Sequence, residues 1–224
     1  MMSLIASFDP KTSILEELNW FSFLIPLMIL MYTFWSKPSR MTHLKHFMIN
    51  SIEEQFKIAL KTKKDSSSKI FITIFLMIMI CNITGLLPNI FTGTSHLTAN
   101  LMISVPLWTG FFMFGWMKYT NKMFAHLVPN GTPMVLINFM VLIELISTII
   151  RPLTLSIRLM ANMVSGHLLL TLMGNTMQTS YYSTCLILVF IQMILSLLEV
   201  GVAFIQAYVF CMLLTLYSDD SDYQ

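Results

Sequence analysis

The sequence predicts an all-α integral membrane protein. We expect about five membrane helices and a surface amphipathic helix, with the last two membrane helices forming a long, steeply inclined hairpin. Hydrophobic residues make up 56% of the 224 residues and charged residues only 11%, whereas a soluble domain carries about 25% charged residues. The mean hydropathy is +0.73, and several apolar runs could cross about 30 Å of hydrocarbon. We therefore treat residues 1–224 as a single membrane domain.

The first apolar run, residues 18–35, predicts one rather short membrane helix. Trp20, Tyr32 and Trp35 lie near its ends, where amphipathic rings favour the membrane interface. Acidic residues precede the run and no small-residue cleavage site follows it, so a removable signal peptide is not predicted. We expect this run to remain in the membrane as the first span.

Residues 40–64 predict an amphipathic helix on the membrane surface. Its apolar positions recur at steps of three, four and five residues: Met41, Leu44, Phe47, Ile52, Phe56 and Leu60. The stretch 37–69 holds eight of the 13 Lys and Arg residues. This basic face suits contact with lipid or a partner, although a solvated face is the more common explanation. His43 and His46 lie one turn apart, but a metal site would need a third ligand nearby.

Residues 70–87 and 97–117 predict a hairpin of two membrane helices. Each run is about as long as a membrane span requires, and Pro88 ends the first. The connection between them contains no Lys or Arg, whereas the next connection contains Lys118 and Lys122. This contrast predicts that the two connections lie on opposite sides of the membrane.

Residues 133–173 and 181–217 predict two helices that are longer than a membrane is thick. The first would contain 41 residues and the second 37, which correspond to about 61 Å and about 55 Å. Thr132 is a suitable N-cap for the first helix, and Gly174 with Asn175 predicts its end. Because the hydrocarbon layer is only about 30 Å thick, both helices must tilt steeply or bend. Such a hairpin suggests a curved partner.

The distribution of cations predicts the topology. Counted along the chain, the four connections contain 8, 0, 2 and 0 Lys and Arg residues. The positive-inside rule assigns the cation-rich connections to the side where the chain is made. With five spans, the N-terminus then lies outside and the C-terminus inside. The formal net charge of +2 is too small to indicate a nucleic-acid partner.

Polar residues on the two long helices recur every seven positions, which predicts one polar stripe on each helix. The stripe of the first helix comprises Glu144, Arg151, Arg158 and Ser165. The stripe of the second comprises Gln192, Glu199 and Gln206. In an antiparallel pair, one register brings His167 opposite Glu199 and Arg158 opposite Gln206. By the predicted topology the first pair lies toward the outside, the second in the middle and Glu144 toward the inside, which is the layout of two offset water-filled approaches separated by a cation.

The ionisable residues within these spans are the candidates for function. An arginine near the middle of a span costs at least about 2.5 to 3.5 kcal/mol on insertion scales, so it rarely lies there without a partner. We expect functional roles for four residues: Glu144, Arg158, His167 and Glu199. Contacts between helices explain three uncharged residues more simply: Asn138, Ser165 and Gln192. Arg151, beside Pro152, suits capping or snorkelling as well as it suits transport.

Two motifs carry a resemblance to a known family: LSIRLMANMVSGHLLLTL in the first long helix and LEVGVAFIQAYVFCMLLTLY in the second. With MFAHLVPNGTP before them, they resemble subunit a, also called subunit 6, of the F-type ATP synthases in its mitochondrial form. The resemblance extends over nearly the whole chain. It implies a fixed subunit that abuts a rotating ring of small hairpin subunits, each with a membrane carboxylate. Proton flow at this contact would be coupled to ATP synthesis in a separate head.

The resemblance also implies roles for residues near the middle of the two long helices. The essential arginine of the family corresponds to Arg158, and its neighbouring amides correspond to Asn162 and Gln206. Arg151 is a departure, since some relatives have glutamine there. A second cation on the same stripe puts in doubt that Arg158 acts alone.

Toward the two membrane surfaces, the resemblance implies an outer proton-transfer pair at His167 and Glu199 and a matrix-side acidic residue at Glu144. Bacterial relatives carry the histidine and the carboxylate in swapped helices, so this arrangement resembles the mitochondrial branch. The implied location is the mitochondrial inner membrane, with the N-terminus toward the intermembrane space and the C-terminus toward the matrix. The implied partners are the ring, the peripheral stalk, other membrane-sector subunits and the lipid bilayer. No catalytic site, cofactor or metal is expected.

Two other functional classes fit parts of the pattern. A fixed subunit of a redox-driven proton pump would also contain buried charges, but haem or copper needs facing histidines in spans, and only His167 lies deep in one. A purely structural anchor would not need Arg158. Three cysteines lie singly in apolar runs and predict neither a disulfide nor a metal site: Cys81, Cys185 and Cys211.

Overall fold

The computed structural model describes residues 8–9, 18–30, 37, 39–60, 65–87, 90–118, 120–128, 136–179 and 181–221. All regular elements within these ranges are helical, which confirms the predicted all-α class. After a 3-10 helix at Leu18–Phe23, the α-helices are α1 (Leu24–Leu30), α2 (Arg40–Leu60), α3 (Asp65–Gly85), α4 (Leu97–Lys118), α5 (Thr120–His126), α6 (Ile137–Thr179) and α7 (Tyr182–Ser221). A 3-10 turn, Gly93–Ser95, lies between α3 and α4.

Four helices in the described ranges are long and apolar enough to cross a membrane: α3, α4, α6 and α7. The segment predicted as the first span begins with the 3-10 helix and continues as α1, in which Pro26 is fully buried. Residues 31–35 of that predicted span lie outside the described residues. The number of five spans therefore stays a prediction.

Helix α2 begins at a serine cap. The backbone N–H of Thr42 donates to Ser39 Oγ at 3.4 Å, and Thr42 Oγ1 donates to the Ser39 carbonyl at 2.7 Å. Near the other end, Lys57 Nζ lies 3.0 Å from Glu53 Oε1 one turn away. Such exposed pairs contribute about 0.3 to 0.5 kcal/mol, so the packing of the helix matters more.

Helix α2 presents two different apolar faces, where the sequence suggested one. Phe56 and Leu60 are buried in the core, whereas Met41 and Phe47 are 73% and 72% exposed. A helix that borders protein, lipid and water needs two apolar faces, one for each non-aqueous neighbour. Residues 61–64 of the predicted helix lie outside the described residues.

The core lies where α2, α3, α6 and α7 meet. Its largest fully buried side chains are Phe56, Phe71, Phe210, Leu155, Leu159 and Leu214. Phe56 packs edge-on against Phe75 at 6.1 Å between ring centroids, and Phe71 stacks on Phe111 of α4 at 5.7 Å. Such aromatic pairs add about 0.5 to 1.5 kcal/mol beyond the burial of their area. Cys211 is buried here, with Sγ 3.6 Å from the Phe71 carbonyl oxygen.

The connection between α3 and α4 is tied to the first helical segment by aromatic rings. Trp20, Phe91 and His96 form a triangle with centroid distances between 5.3 and 5.6 Å. A side chain at Gly93 would collide with the ring of Phe23, so this position requires glycine for close approach. The connection is therefore a packed part of the fold.

Helices α6 and α7 form the predicted antiparallel hairpin and contain 43 and 40 residues. The predicted end of α6 at Gly174 and Asn175 is wrong, because the helix continues through both to Thr179. A glycine in a helix interior costs only about 1 kcal/mol, so the helix can continue for one more turn beyond Gly174. Pro152 is buried within α6 without ending it. The tilt of the hairpin in the membrane stays a prediction.

Candidate functional site

Near the middle of the hairpin, α6 meets the polar stripe of α7 through Asn162 and Gly166, which lie beside its own polar stripe. Asn162 Nδ2 donates a hydrogen bond to Gln206 Oε1 at 2.9 Å. Nearer the connection between the helices, a Cβ added to Gly166 would lie 3.0 Å from Glu199 Oε1. This register is within about one helical turn of the predicted one. Gln206 pairs with Asn162, however, and not with Arg158, which is one turn further from the connection.

His167 follows the glycine that abuts Glu199. The His167 ring meets that of Phe8 edge-on, with 6.1 Å between the ring centroids. His167 Nε2 and both carboxylate oxygens of Glu199 are buried and have no hydrogen-bond partner in the described part of the chain. The two predicted proton-transfer groups therefore do not bond to each other directly, and each keeps hydrogen-bonding capacity for another group.

A cavity of about 160 Å³ lies between α3, α6 and α7. Its polar lining residues are Asn82, Asn162, Ser165, Glu199 and Gln206. Besides the oxygens of Glu199, Gln206 Nε2 has no hydrogen-bond partner among the described residues. Buried polar groups in proteins are satisfied by protein partners or by water. Since one water needs only about 10 to 15 Å³ of such volume, this cavity suits several water molecules.

Asn82 is the functional candidate that the sequence analysis missed. Its side chain is 0% exposed, and neither its Nδ2 nor its Oδ1 has a hydrogen-bond partner within the described ranges. A buried amide without partners is costly, by about 1 to 3 kcal/mol for each group. The available signal was an asparagine inside an otherwise apolar span. The polar stripes of α6 and α7 gave no reason to expect that α3 also lines the cavity.

Arg158 lies outside the cavity. Its side chain is exposed on α6, and no ion pair or hydrogen bond joins it to another described residue. A guanidinium at the depth of the hydrocarbon layer requires a counter-charge or water. The exposed position leaves Arg158 available to a carboxylate on a neighbouring protein. Asn162, one turn along α6, lies between this surface and the cavity.

Glu144 and Arg151 form a separate charged group toward the other end of the hairpin. Arg151 Nη2 lies 3.5 Å from Glu144 Oε1, and the guanidinium carbon of Arg151 lies 5.5 Å from the ring centroid of Tyr217 on α7. Both charged side chains are a little more than one-third exposed. From Glu144 to Arg158 the rise along α6 is about 21 Å, so Glu144 belongs to a different region from the cavity.

No group of three or more His, Cys, Asp or Glu side chains in the described part of the chain could hold a metal ion. His43 and His46, which lie one turn apart, are exposed on α2. The charged and polar groups described above are therefore the candidates for the site in this part of the chain.

The sequence is similar to those of known proteins over nearly its whole length. The ATP synthase A chain family matches residues 18–219. ATP synthase subunit a of Locusta migratoria is 48% identical over 222 residues, which cover 98% of this chain and 99% of that protein. The subunits of the same name from Drosophila melanogaster and Artemia franciscana are 45% and 46% identical, each over 98% of this chain and over 99% and 100% of their own lengths.

Proposed function

The chain belongs to the ATP synthase A chain family, and on that premise we propose that it is the proton-translocating subunit of the membrane sector of a mitochondrial ATP synthase. It is a non-catalytic, multi-pass subunit of the inner membrane. It associates there with the ring of carboxylate-bearing subunits, with the peripheral stalk and with other membrane-sector subunits. Family membership disfavours both alternatives from the sequence, a redox-driven pump subunit and a structural anchor.

The polar cavity is the outer approach for protons in this proposal. The observation that carries it is a set of buried polar atoms around one cavity, from Asn82, Glu199 and Gln206, that have no hydrogen-bond partner in the part of the chain that the structure describes. Water bridging such groups can pass protons along a chain of hydrogen bonds. Glu199 and His167 are the titratable groups on this route.

Arg158 is the fixed charge between the two approaches. A carboxylate on the ring can face lipid only in its protonated form, since the bare anion would cost several kcal/mol there. The exposed guanidinium of Arg158 stabilises the anion as it passes, and arginine does not lose its own proton. Protons therefore enter by one approach, travel with the ring for almost a full turn and leave by the other.

Glu144 marks the inner approach in this proposal. It lies about 21 Å from Arg158 along α6, on the side away from the cavity. With the N-terminus toward the intermembrane space and the C-terminus toward the matrix, as the cation distribution predicts, the cavity faces outward and Glu144 faces the matrix. In this orientation the outer and inner approaches lie at different positions along α6 and open to opposite sides of the membrane.

Thiol labelling of membrane vesicles that contain the assembled complex tests this arrangement. The variants are His167→Cys, Glu199→Cys and Glu144→Cys, with the parent chain and its own three cysteines as the blank. We expect the first two to react with a water-soluble reagent from the outer side and the third from the inner side, because such reagents need a hydrated, ionised thiol. Leu197→Cys is the control, since this 77% exposed apolar position does not line the cavity and should label weakly from both sides. Equal labelling of all three test positions from one side would refute the offset approaches.

Gly166 provides a second test, because its lack of a side chain lets Glu199 approach α6. An added Cβ would lie 3.0 to 3.3 Å from three atoms of that side chain, so Gly166→Ala must displace the carboxylate by a few tenths of an ångström. We expect coupled proton flux to fall roughly three- to tenfold, since a misplacement of 1 Å can cost about 100-fold. Gly201→Ala is the matched control, because nothing lies within 4 Å of that position. Both changes favour helix formation to the same degree, so similar flux in the two variants would argue against a role for the position of Glu199.

A further inference from the structure

We propose that Arg151 is a positioning residue of the inner approach. Together with the ring of Tyr217 it holds the carboxylate of Glu144, and it does not act as a second fixed charge toward the ring. This inference rests on the proposed function of Glu144. It gives Arg151, the second cation of the α6 stripe, a role different from that of Arg158.

Two contacts of Arg151 carry the inference. Its Nη2 lies 3.5 Å from Glu144 Oε1 on the same helix, two turns away, and its guanidinium carbon lies 5.5 Å from the ring centroid of Tyr217 on α7. A planar guanidinium can meet a carboxylate with its edge and an aromatic ring with its face at the same time. Arg151 therefore connects an acidic side chain of α6 to the inner end of α7.

The two arginines of the stripe have opposite surroundings. Arg151 is partly buried beside a carboxylate and a ring, whereas Arg158 is exposed and has no ion pair among the described residues. Positions seven apart on a helix differ in direction by only about 20°. The difference therefore comes from the residues of α6 and α7 that surround each arginine. A cation already engaged by Glu144 is a poor counter-charge for a passing carboxylate on the ring.

Exposure alone would make the ion pair weak. Pairs between partly exposed charges contribute little, because water screens them and two long side chains must be held in one geometry. The contact with Tyr217 changes this, since it holds the guanidinium against α7 before it meets the carboxylate. Glu144 then has a fixed partner at the level where the inner approach begins. Without the ring, the same pair would not restrict the carboxylate to one place.

The arrangement in which Arg151 and Tyr217 hold the Glu144 carboxylate is called the clamp below. Proton pumping driven by ATP, measured in vesicles at matched levels of assembled complex, tests it. We expect Arg151→Gln and Tyr217→Leu each to lower pumping roughly two- to fivefold, in line with the loss of one partly exposed ion pair or cation–ring contact. Passive leak should not rise, because Arg158 still separates the two approaches. Arg151→Lys should lose less than Arg151→Gln, and Tyr217→Phe less than Tyr217→Leu, because each retains the charge or the ring face.

The double variant Glu144→Gln with Arg151→Gln distinguishes positioning from general support of the fold. If Arg151 acts through Glu144, the double variant pumps no more slowly than Glu144→Gln alone. Lys118→Gln is the control, because Lys118 Nζ lies 4.3 Å from the centroid of the Phe114 ring on α4, and loss of this cation–ring contact should leave pumping unaffected.

The outcomes separate the clamp from its premise. Additive losses in the double variant, a rise in leak with Arg151→Gln, or normal pumping by Arg151→Gln and Tyr217→Leu while Glu144→Gln is impaired would overturn the clamp alone. Normal pumping by Glu144→Gln would instead overturn the inner role of Glu144 in the proposed function, and the clamp with it.

Discussion

Replacing Arg158 with alanine is expected to lower ATP-driven proton pumping at least about a hundredfold, while passive leak through the membrane sector stays the same or rises. The reason is that a fixed cation has two effects at this place. It stabilises the carboxylate of the ring as it passes without a proton, and it prevents protons from crossing directly between the two approaches. Alanine removes both effects, so the coupling is lost together with the barrier.

Arg158→Lys should also fail at coupled transport. Lysine keeps a positive charge but loses the planar, delocalised fork, and burial in a medium of low dielectric favours its neutral form. A residue that only held helices together would behave differently. In that case alanine would lower assembly, lysine would largely restore it, and neither variant would separate leak from coupling.

Proton flux in vesicles, measured with and without ATP at matched assembly, distinguishes these cases. Thr154→Ala is the control variant, since Thr154 is exposed one turn before Arg158 and its hydroxyl donates only to the Arg151 carbonyl at 2.9 Å. We expect this variant to pump normally. Assembled Arg158→Ala complexes that pump at near normal rates would show the proposed mechanism to be wrong.

Replacing Glu199 with leucine is expected to reduce coupled flux by about a hundredfold or more, since about a hundredfold is the low end for losing a positioned proton-transfer group. Both carboxylate oxygens are buried without a hydrogen-bond partner among the described residues, and within those residues Glu199 is the one acidic side chain that lines the cavity. Leucine fills similar space but cannot take up a proton. Glu199→Gln is the companion variant, because it keeps the polar lining and removes only the titratable group. Similar losses in both variants would assign the effect to proton transfer rather than to packing.

Exchanging His167 and Glu199 should retain part of the flux that Glu199→Leu loses. The exchange keeps one imidazole and one carboxylate on adjoining turns of the two helices, and a proton relay through water does not require either group on a particular helix. Flux in the exchanged variant no better than in Glu199→Leu would mean that the two residues do not share a site. The comparison requires equal assembly of all three complexes.

Periodicity and composition determined the elements of this protein. In lipid, an apolar run of about 20 residues or more must form a helix, because only then are all its backbone N–H and C=O groups hydrogen-bonded within the segment. The seven-residue spacing of charged and amide residues likewise indicated the face of α7 that meets α6, at Glu199 and Gln206, whereas α6 meets it through Asn162 and Gly166, beside the predicted stripe. The register followed from it to within about one turn, since residues on one face of a straight helix must meet one face of its neighbour.

Local signals were less reliable than the periodicity of whole helices. Gly174 and Asn175 are common at helix ends, yet α6 continues through them. The apolar positions of α2 looked like one face, but Met41 and Phe47 are exposed while Phe56 and Leu60 are buried. At α2 the neighbouring helices decide which positions are buried, and a single sequence does not specify where those neighbours lie. At Gly174 a Cβ would meet nothing within 4 Å, so the small cost of a glycine in a helix explains why α6 continues.

The sequence by itself thus determined an all-α membrane fold, the polar stripes of the long helices and the ionisable residues within them. Only the tertiary structure decided which groups share a cavity, because α3 brings Asn82 to Glu199 and Gln206 from more than 100 positions away in the chain. It also decided that Arg151 meets Tyr217 while Arg158 stays exposed. The two arginines have the same chemistry and the same place in the repeat, so their difference arises from the surroundings that the packed helices supply.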